Sequence, residues 1–137
     1  ASVPDAGTSP AVVLVGSILG LHPLPMHAEY CAAKAALVSL AGSLRAELAT
    51  DGVDVLLASL GPTQTEFWES LRGGARPAWT AGRPLSAETT ARAIADALER
   101  RRAVVLPGWF AKGFALAARF CPWLIDAVVA RRRRLLG

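Results

Sequence analysis

Apolar residues occur along this chain in two recurring patterns, as short continuous runs and at helical spacing. The runs at residues 11–16 and Val53–Ser59 are apolar on both faces, which is typical of parallel strands covered by helices. Between them, apolar positions from about Ala28 to Thr50 recur at helical spacing, and Asp51-Gly52 indicates where that helix stops. Strand, helix and strand in this order predict a right-handed crossover unit in an α/β fold.

The later part of the chain predicts one more helix, one more strand and a helical tail. A helix is expected to begin after its N-cap Ser86 and to run to about Arg101. Ala103–Leu106 then indicates a short last strand. Beyond it, residues 109–136 predict two short helices that are broken at Pro122, each with apolar positions along one side.

The only tyrosine of the chain, Tyr30, stands four residues before Lys34, one of its two lysines. Four residues are about one helical turn, so the phenol and the ammonium are expected on one face of the long helix. An ammonium close to a phenol favours the phenolate form, which suits Tyr30 to give and accept a proton in catalysis. The alternatives are a buried tyrosine whose hydroxyl is satisfied by the backbone, and a solvated surface lysine.

Ser17 comes at the predicted carboxyl end of the first strand. Ligands bind at this edge of open α/β sheets, and a hydroxyl there can donate to a substrate carbonyl oxygen as negative charge grows on it. The alternative for Ser17 is a structural role, the capping of a turn.

These three residues are part of a longer spaced pattern, Ser17-x-x-Gly20-x-x-x-x-Pro25-x-x-x-x-Tyr30-x-x-x-Lys34. The pattern resembles the catalytic segment of the short-chain dehydrogenase/reductase family. After the second predicted strand, the segment Gly61-Pro62-Thr63-Gln64-Thr65 resembles the family's Pro-Gly-x-x-x-Thr loop. Two positions depart mildly from the family pattern: Leu60 replaces the usual proline of that loop, and Gly16 replaces a serine often found before the catalytic one.

The resemblance implies an oxidoreductase that uses NAD or NADP and acts on a small-molecule carbonyl or alcohol. Tyr30 would exchange a proton with the substrate oxygen, Ser17 would donate to the same oxygen, and Lys34 would bond the nicotinamide ribose. The residues expected to contact the cofactor are Tyr30, Lys34, Gly61, Pro62, Thr63 and Thr65. The residues expected to contact the substrate are Ser17, Phe67 and Trp68. The aromatic side chains of this set favour a hydrophobic substrate.

The resemblance covers roughly residues 10–107 and matches only the second half of a family member. We therefore expect an incomplete Rossmann-like fold, a doubly wound parallel sheet of which residues 1–108 supply the second half, followed by an amphipathic helical tail over residues 109–137. The sequence has no Gly-x-x-x-Gly-x-Gly to cradle the dinucleotide phosphates, and the family's catalytic Asn would lie upstream. Alone, the fragment is expected to be inactive.

The net charge of the 137 residues is +4, and the arginines are concentrated in two clusters, Arg100–Arg102 and Arg131–Arg134. No aromatic residues interleave with these clusters, so no nucleic-acid partner is expected. Basic residues near helix C-termini complement the helix dipole, which is the structural explanation for them. An Arg-rich amphipathic tail is also typical of helices that lie on a membrane surface. A non-catalytic interaction or membrane-surface module is therefore the alternative function.

Cys31 and Cys121 match neither a metal spacing nor a disulfide framework, and His22 and His27 lack the further ligands that a metal would need. We therefore expect no metal and a reducing, cytoplasmic location, with membrane association through the tail left open. The resemblance also leaves a homo-oligomer open, since many relatives assemble through the helix that carries the tyrosine.

Overall fold

The computed structural model describes residues 9–64 and 84–136, with side chains up to residue 131. In this part of the chain, three parallel strands form one sheet in the order β1-β2-β3, and four helices accompany them. The elements are β1 Ala11–Ser17, α1 Ala28–Glu47, β2 Asp54–Leu60, α2 Ala87–Glu99, β3 Val104–Val105, α3 Gly108–Phe120 and α4 Pro122–Leu136. The predicted α/β class and the parallel crossover between β1 and β2 are confirmed.

The element boundaries differ from the prediction by a few residues, and three of these differences bear on the site. Ser17 is the last residue of β1 rather than the first of a loop, and a 3-10 turn over Ile18–Gly20 follows it. Helix α1 ends at Glu47, because the chain tightens into a second 3-10 turn before Gly52 takes a left-handed conformation. Strand β3 has two residues instead of four, since only Val104 and Val105 pair with β2.

One hydrophobic cluster fills the space between α1 and the sheet. Its buried members are Ala41 of α1 with Val55 and Leu57 of β2, and side chains of β1 and α1 pack around them. Strands β1 and β2 pair along their whole lengths, from Ala11 opposite Asp54 to Ser17 opposite Leu60. This full register brings the carboxyl ends of the two strands level with each other, and Ser17 lies at that edge.

The prediction that both faces of the first strand are covered is wrong for the described residues. Val13 and Val15 of β1 are 36% and 50% exposed, whereas residues 55–59 of β2 are buried on both faces. The reason is geometric, because α1 covers one face of the sheet and β1 is the edge strand of the described order. The opposite face of β1 has no comparable cover in this part of the chain.

A second hydrophobic cluster connects the segment after β1 to the C-terminal helices. Ile18, Leu19, Leu24 and Cys31 are buried together with Ala111 of α3. The partly buried side chains that pack against them are Tyr30, Leu106, Phe114, Ile125 and Val129. Helices α3 and α4 therefore pack directly on the segment that runs from Ser17 to the first turn of α1.

Helix α2 ends in a Schellman arrangement, with the N–H of Arg101 bonded to the carbonyl of Leu98 and the N–H of Arg102 to that of Ala97. Arg101 occupies the left-handed position with φ of 52°, where glycine is usual. Its guanidinium forms two hydrogen bonds to the Asp54 carboxylate, at 2.7 and 3.3 Å. This hydrogen bond raises the pKa of Arg101 further above its ordinary value, so the guanidinium stays protonated.

We expect the Asp54 pair to offset part of the backbone strain at Arg101. With Asp54→Asn as background, Arg101→Gly should raise the free energy of unfolding by about 1 kcal/mol, because glycine adopts a positive φ without a Cβ clash. In the wild-type background the gain should be smaller, because the substitution also removes the ion pair with Asp54. Urea denaturation of the intact protein measures both values. Equal gains in the two backgrounds would show that the pair contributes nothing.

Candidate active site

Ser17 ends β1, and its backbone is still extended there, with φ of −144° and ψ of 154°. Its hydroxyl oxygen accepts the backbone N–H of Leu19 at 3.2 Å and so caps the 3-10 turn. The structural alternative considered for this serine is therefore present in the fold. A hydroxyl that accepts one bond keeps its own proton for donation, so the cap and a substrate contact are compatible. The side chain is 7% exposed, which makes Ser17 a buried donor at the edge where ligands bind.

Tyr30 and Lys34 lie on one face of α1, as their spacing predicts. The Lys34 Nζ atom is 5.6 Å from the centroid of the Tyr30 ring. Lys34 is half-buried and its ammonium donates a hydrogen bond of 3.2 Å to the carbonyl oxygen of Val15. The alternative of a fully solvated lysine is therefore wrong, because this side chain reaches across to β1 two residues before Ser17.

Gly20 explains how the strand end and the helix come so close. A Cβ at Gly20 would lie 2.6 Å from the carbonyl oxygen of Lys34 and 2.7 Å from its carbonyl carbon. These are backbone atoms in the middle of α1, so they cannot move aside as a flexible side chain would. Only glycine allows the turn after Ser17 to rest on the helix at the residue that carries the ammonium.

Tyr30 is half-buried and packs against the cluster formed by Ile18, Leu19, Leu24, Cys31 and Ala111. The cluster is apolar, so it holds the ring in place from one side. Cys31 is a buried free thiol in this cluster, as the sequence indicates. The aromatic ring is thus fixed between the turn that follows Ser17 and the C-terminal helices.

The loop after β2 is held by backbone hydrogen bonds to Leu85. The N–H of Leu85 donates to the carbonyl of Pro62 at 3.1 Å, and the N–H of Gln64 donates to the carbonyl of Leu85 at 2.8 Å. The Thr63 hydroxyl donates to the carbonyl of Gly61 at 3.1 Å. These bonds fix three of the predicted cofactor-binding residues beyond the carboxyl end of β2.

Gly61 borders a cavity, and the packing of the surrounding chain would allow a side chain at this position. A Cβ there would make only ordinary contacts, at 3.5 Å from the Ala111 Cβ and 3.7 Å from a Phe110 ring carbon. The cavity is lined by Gly61, Pro62, Leu85 and residues 107–111. This cavity lies beside the loop backbone, and the Lys34 ammonium lies near the end of the neighbouring strand; such a place at the sheet edge would suit the nicotinamide end of a dinucleotide.

Three of the predicted site residues, Thr65, Phe67 and Trp68, lie outside the described residues. The structure therefore places Ser17, Tyr30, Lys34, Gly61, Pro62 and Thr63. Ser17 ends β1, Lys34 bonds the Val15 carbonyl of the same strand and lies beside the Tyr30 ring, and the other three residues follow the end of the adjacent strand β2.

A histidine–carboxylate pair next to this site was missed by sequence reasoning. The Nε2 atom of His22 is 3.0 Å from a carboxylate oxygen of Asp126 in α4, and the imidazole meets the Phe114 ring edge-on with centroids 6.5 Å apart. The His22 side chain is only 13% exposed. The pair joins the segment between Ser17 and Tyr30 to the C-terminal helices, and its 104-residue separation left no local signal.

An apolar groove runs between α3 and α4 beside the same segment. Its lining residues are Leu24, Phe110, Phe114, Ala117, Leu124, Ile125, Val128 and Val129. Three of these side chains, Phe114, Ile125 and Val129, also pack against the cluster that contacts Tyr30. The groove and the tyrosine therefore pack against the same apolar cluster.

No group of three or more His, Cys, Asp or Glu side chains that could hold a metal ion occurs in residues 9–64 and 84–131. The two histidines of the segment are engaged otherwise. His22 contacts Asp126, and the Nδ1 atom of His27 lies 3.1 Å from the carbonyl oxygen of Pro25.

Residues 4–75 match the family model described as short chain dehydrogenase. This match takes in Ser17, Tyr30, Lys34 and the glycine loop, which together carry the predicted chemistry. It covers more than half of the 137 residues.

Curated relatives match the same part of the chain. The mouse 17-beta-hydroxysteroid dehydrogenase type 1 is 44% identical over 63 residues, which are 46% of this chain and 18% of the relative. The 7beta-hydroxysteroid dehydrogenase of Clostridium sardiniense is 40% identical over 58 residues, 42% of this chain and 22% of the relative. The chain thus spans less than a quarter of these relatives.

The fold extends the similarity beyond the matched segment. A short chain dehydrogenase from Burkholderia cenocepacia, solved in complex with NADP, superimposes with a TM-score of 0.71 at 28% sequence identity. The superposition covers 87% of this chain and 46% of the solved one. The observed sheet and helices therefore correspond to about half of a complete enzyme, and the predicted Rossmann-like architecture is confirmed.

We expect Gly20→Ala to lower the free energy of unfolding by about 1–3 kcal/mol, because overpacking against backbone forces the turn away from α1. Gly42→Ala is the matched control on α1, where an added Cβ meets nothing within 4 Å. That control should instead stabilise the protein by about 1 kcal/mol, the difference in helix propensity between the two residues. Chemical denaturation of both variants of the intact protein measures the contrast. An unchanged stability for Gly20→Ala would contradict the close contact.

Proposed function

The chain belongs to the short-chain dehydrogenase family, and we propose that the intact protein is an oxidoreductase that interconverts a carbonyl and an alcohol with NAD or NADP. The observation that carries this proposal is the placement of Lys34 within 5.6 Å of the Tyr30 ring, on a helix packed against the strand end that holds Ser17. A cation, a phenol and a hydroxyl at the carboxyl edge of a parallel sheet suit proton transfer to a substrate oxygen.

Tyr30 is the proposed proton donor and acceptor. In reduction its phenol gives a proton to the carbonyl oxygen, and in oxidation the phenolate takes the proton from the alcohol. The nicotinamide cofactor, when bound, supplies or accepts the hydride in the same conversion. The Lys34 ammonium supplies a positive charge beside the Tyr30 ring.

Ser17 is proposed to donate its free proton to the same substrate oxygen. The hydroxyl is held by its bond to the Leu19 N–H, so its position is set before substrate arrives. A buried, preorganised donor stabilises the negative charge that grows on the oxygen in the transition state. Ser17 would make this contact with the substrate while it still caps the 3-10 turn.

The residues of this chain would hold the nicotinamide half of the cofactor. Lys34 would exchange its bond to the Val15 carbonyl for a ribose hydroxyl, and the backbone of Gly61, Pro62 and Thr63 would lie against the nicotinamide ring. The cavity beside Gly61 and the loop bonds to Leu85 support this arrangement.

The substrate is proposed to be a carbonyl or alcohol on a large apolar skeleton such as a steroid. The groove between α3 and α4 supports this proposal, because it is lined by aliphatic and aromatic side chains and packs against the same cluster as Tyr30. The names of the mouse and Clostridium sardiniense relatives point to the same class of substrate.

A homo-oligomer through α1 is part of the proposal. Ala32, Ala36, Ser39 and Ser43 are exposed along one side of this helix, and their small side chains allow a second helix to approach closely. The exposed Leu40 beside them adds apolar area.

We expect Tyr30→Phe to lower kcat by at least about a hundredfold, because general acid–base catalysis contributes roughly 10²–10⁴ in rate. Cofactor affinity, measured by quenching of protein fluorescence, should be largely retained. The companion variant Lys34→Gln should lose both turnover and cofactor affinity, since the ammonium serves both. Turnover close to wild type in the Tyr30→Phe protein would contradict the proposed function.

We expect the intact enzyme to prefer ketosteroids over short polar ketones by about tenfold or more in kcat/KM, because each buried methylene group adds about 0.8 kcal/mol. Val128→Asp, which places a charge in the groove, should reduce kcat/KM for the apolar substrate and leave that for a short ketone unchanged. The matched control is Ala130→Asp, an exposed position of α4 outside the groove lining. A preference for the short polar ketones would refute the apolar substrate class.

A further inference from the structure

Helix α3 has an apolar stripe on the side that faces solvent. Trp109, Leu116 and Phe120 are 85%, 60% and 63% exposed, and Gly113 completes the stripe at intervals of four, three and four residues. This spacing places all four on one line along the helix. A helix at the surface of a soluble domain normally carries polar residues there, so the stripe calls for an apolar partner.

Helix α4 continues this apolar surface beyond the break at Cys121. Trp123, Leu124 and Val128 are 66%, 54% and 51% exposed. Its inner side, with Ile125 and Val129, packs against the cluster near Tyr30. Both helices therefore bury one face within the protein and present a second apolar face outward.

The net positive charge of the chain comes from this pair of helices. From Gly108 onward the sequence has six basic residues and one acidic residue, whereas the preceding 107 residues have nine basic and ten acidic. The single acidic residue, Asp126, is engaged with His22. Lys112 and Arg119 are exposed at the border of the α3 stripe, and Arg131 with the three arginines that follow it in the sequence comes after the α4 surface.

Helices α3 and α4 are joined at a sharp bend. No single described helix is long and apolar enough to cross, and α3 together with residues 122–131 passes by length and composition only as a pair bent by 110°. A bent pair with an outward apolar face, exposed tryptophans and a basic border matches a helix pair that lies in the headgroup interface.

We propose that the outward face of α3 and α4 binds the surface of a bilayer that contains anionic lipids. Trp109, Leu116, Phe120 and Trp123 enter the boundary between headgroups and acyl chains. Lys112, Arg119 and the run Arg131–Arg134 attract the negative headgroups. This inference goes beyond the proposed catalytic function and does not depend on it.

The proposal is tested by flotation of the intact protein with vesicles of phosphatidylcholine, with and without 30% phosphatidylglycerol, at about 0.1 M salt. We expect binding to the anionic vesicles to be at least about tenfold stronger, since each basic residue near the surface contributes roughly fivefold. Raising the salt concentration should weaken this binding by screening the charges. No flotation, or equal binding to both kinds of vesicle, would overturn the proposal.

Two sets of variants separate the apolar and the electrostatic contributions. The double variant Trp109→Ser with Phe120→Ser should lower vesicle binding at least about tenfold through lost apolar burial. Its matched control is Met26→Ser, because Met26 is 88% exposed but lies outside the two helices.

Substitution of Arg131–Arg134 by glutamine should likewise reduce vesicle binding. Substitution of Arg100 and Arg102 by glutamine should not, because these two exposed arginines lie outside the two helices. Unchanged vesicle binding in the Trp109→Ser, Phe120→Ser protein or in the Arg131–Arg134 variant would overturn the proposal.

Quenching of tryptophan fluorescence by brominated lipids measures whether Trp109 and Trp123 insert into the bilayer. The wild-type emission should be quenched, and Trp109→Phe with Trp123→Phe should lose this quenching yet still float, because phenylalanine keeps the apolar contact. Flotation without quenching would overturn the placement of these side chains.

The same variants test two other partners for this face, a second copy of the chain and a nucleic acid. If the Trp109→Ser and Phe120→Ser protein dissociates from an oligomer that the wild type forms without lipid in sedimentation velocity, the face joins two copies of the chain and the proposal fails. If the arginine run binds duplex RNA and the protein ignores anionic vesicles, the charge serves a nucleic acid and the proposal fails as well.

Discussion

The packing of Gly20 on the backbone of Lys34 is the contact on which the candidate site depends. It joins the turn that Ser17 caps to the middle of the helix that carries the phenol and the ammonium. The bond from Lys34 to the Val15 carbonyl closes the same gap from the other side. These two contacts tie the three candidate side chains to the sheet and to a 20-residue helix.

Most of the fold that positions this site could be predicted from the sequence, because its elements are local. The apolar runs gave the strands, the helical spacing placed Tyr30 and Lys34 on one face, and Ser86 does accept the N–H of Thr89 as an N-cap. The exposure of Val13 and Val15 could not be predicted, since an apolar run indicates what a strand would bury and not which neighbours are present. The His22–Asp126 pair was equally invisible, because no local pattern relates residues 104 positions apart. The predicted substrate contacts Phe67 and Trp68 stay predictions.

Helices α3 and α4 combine two tasks that are usually separate. Their inner faces pack, through Phe114, Ile125 and Val129, against the apolar cluster that also contacts Tyr30. Their outer faces are apolar as well and carry the excess positive charge of the chain. A substrate that dissolves in lipid would meet the groove and the proposed lipid-facing surface on the same two helices, so a short path could lead from bilayer to active site.

The tie between His22 and Asp126 has a mechanical consequence. Asp126 lies on α4 and His22 lies between Ser17 and Tyr30, so any force that lifts the helix also pulls on the catalytic segment. A bilayer that draws α4 outward must lengthen or break the His22–Asp126 contact. It would also separate Ile125 and Val129 from the apolar cluster that contacts Tyr30. Contact with lipid at α4 would then be transmitted to the segment between Ser17 and Tyr30.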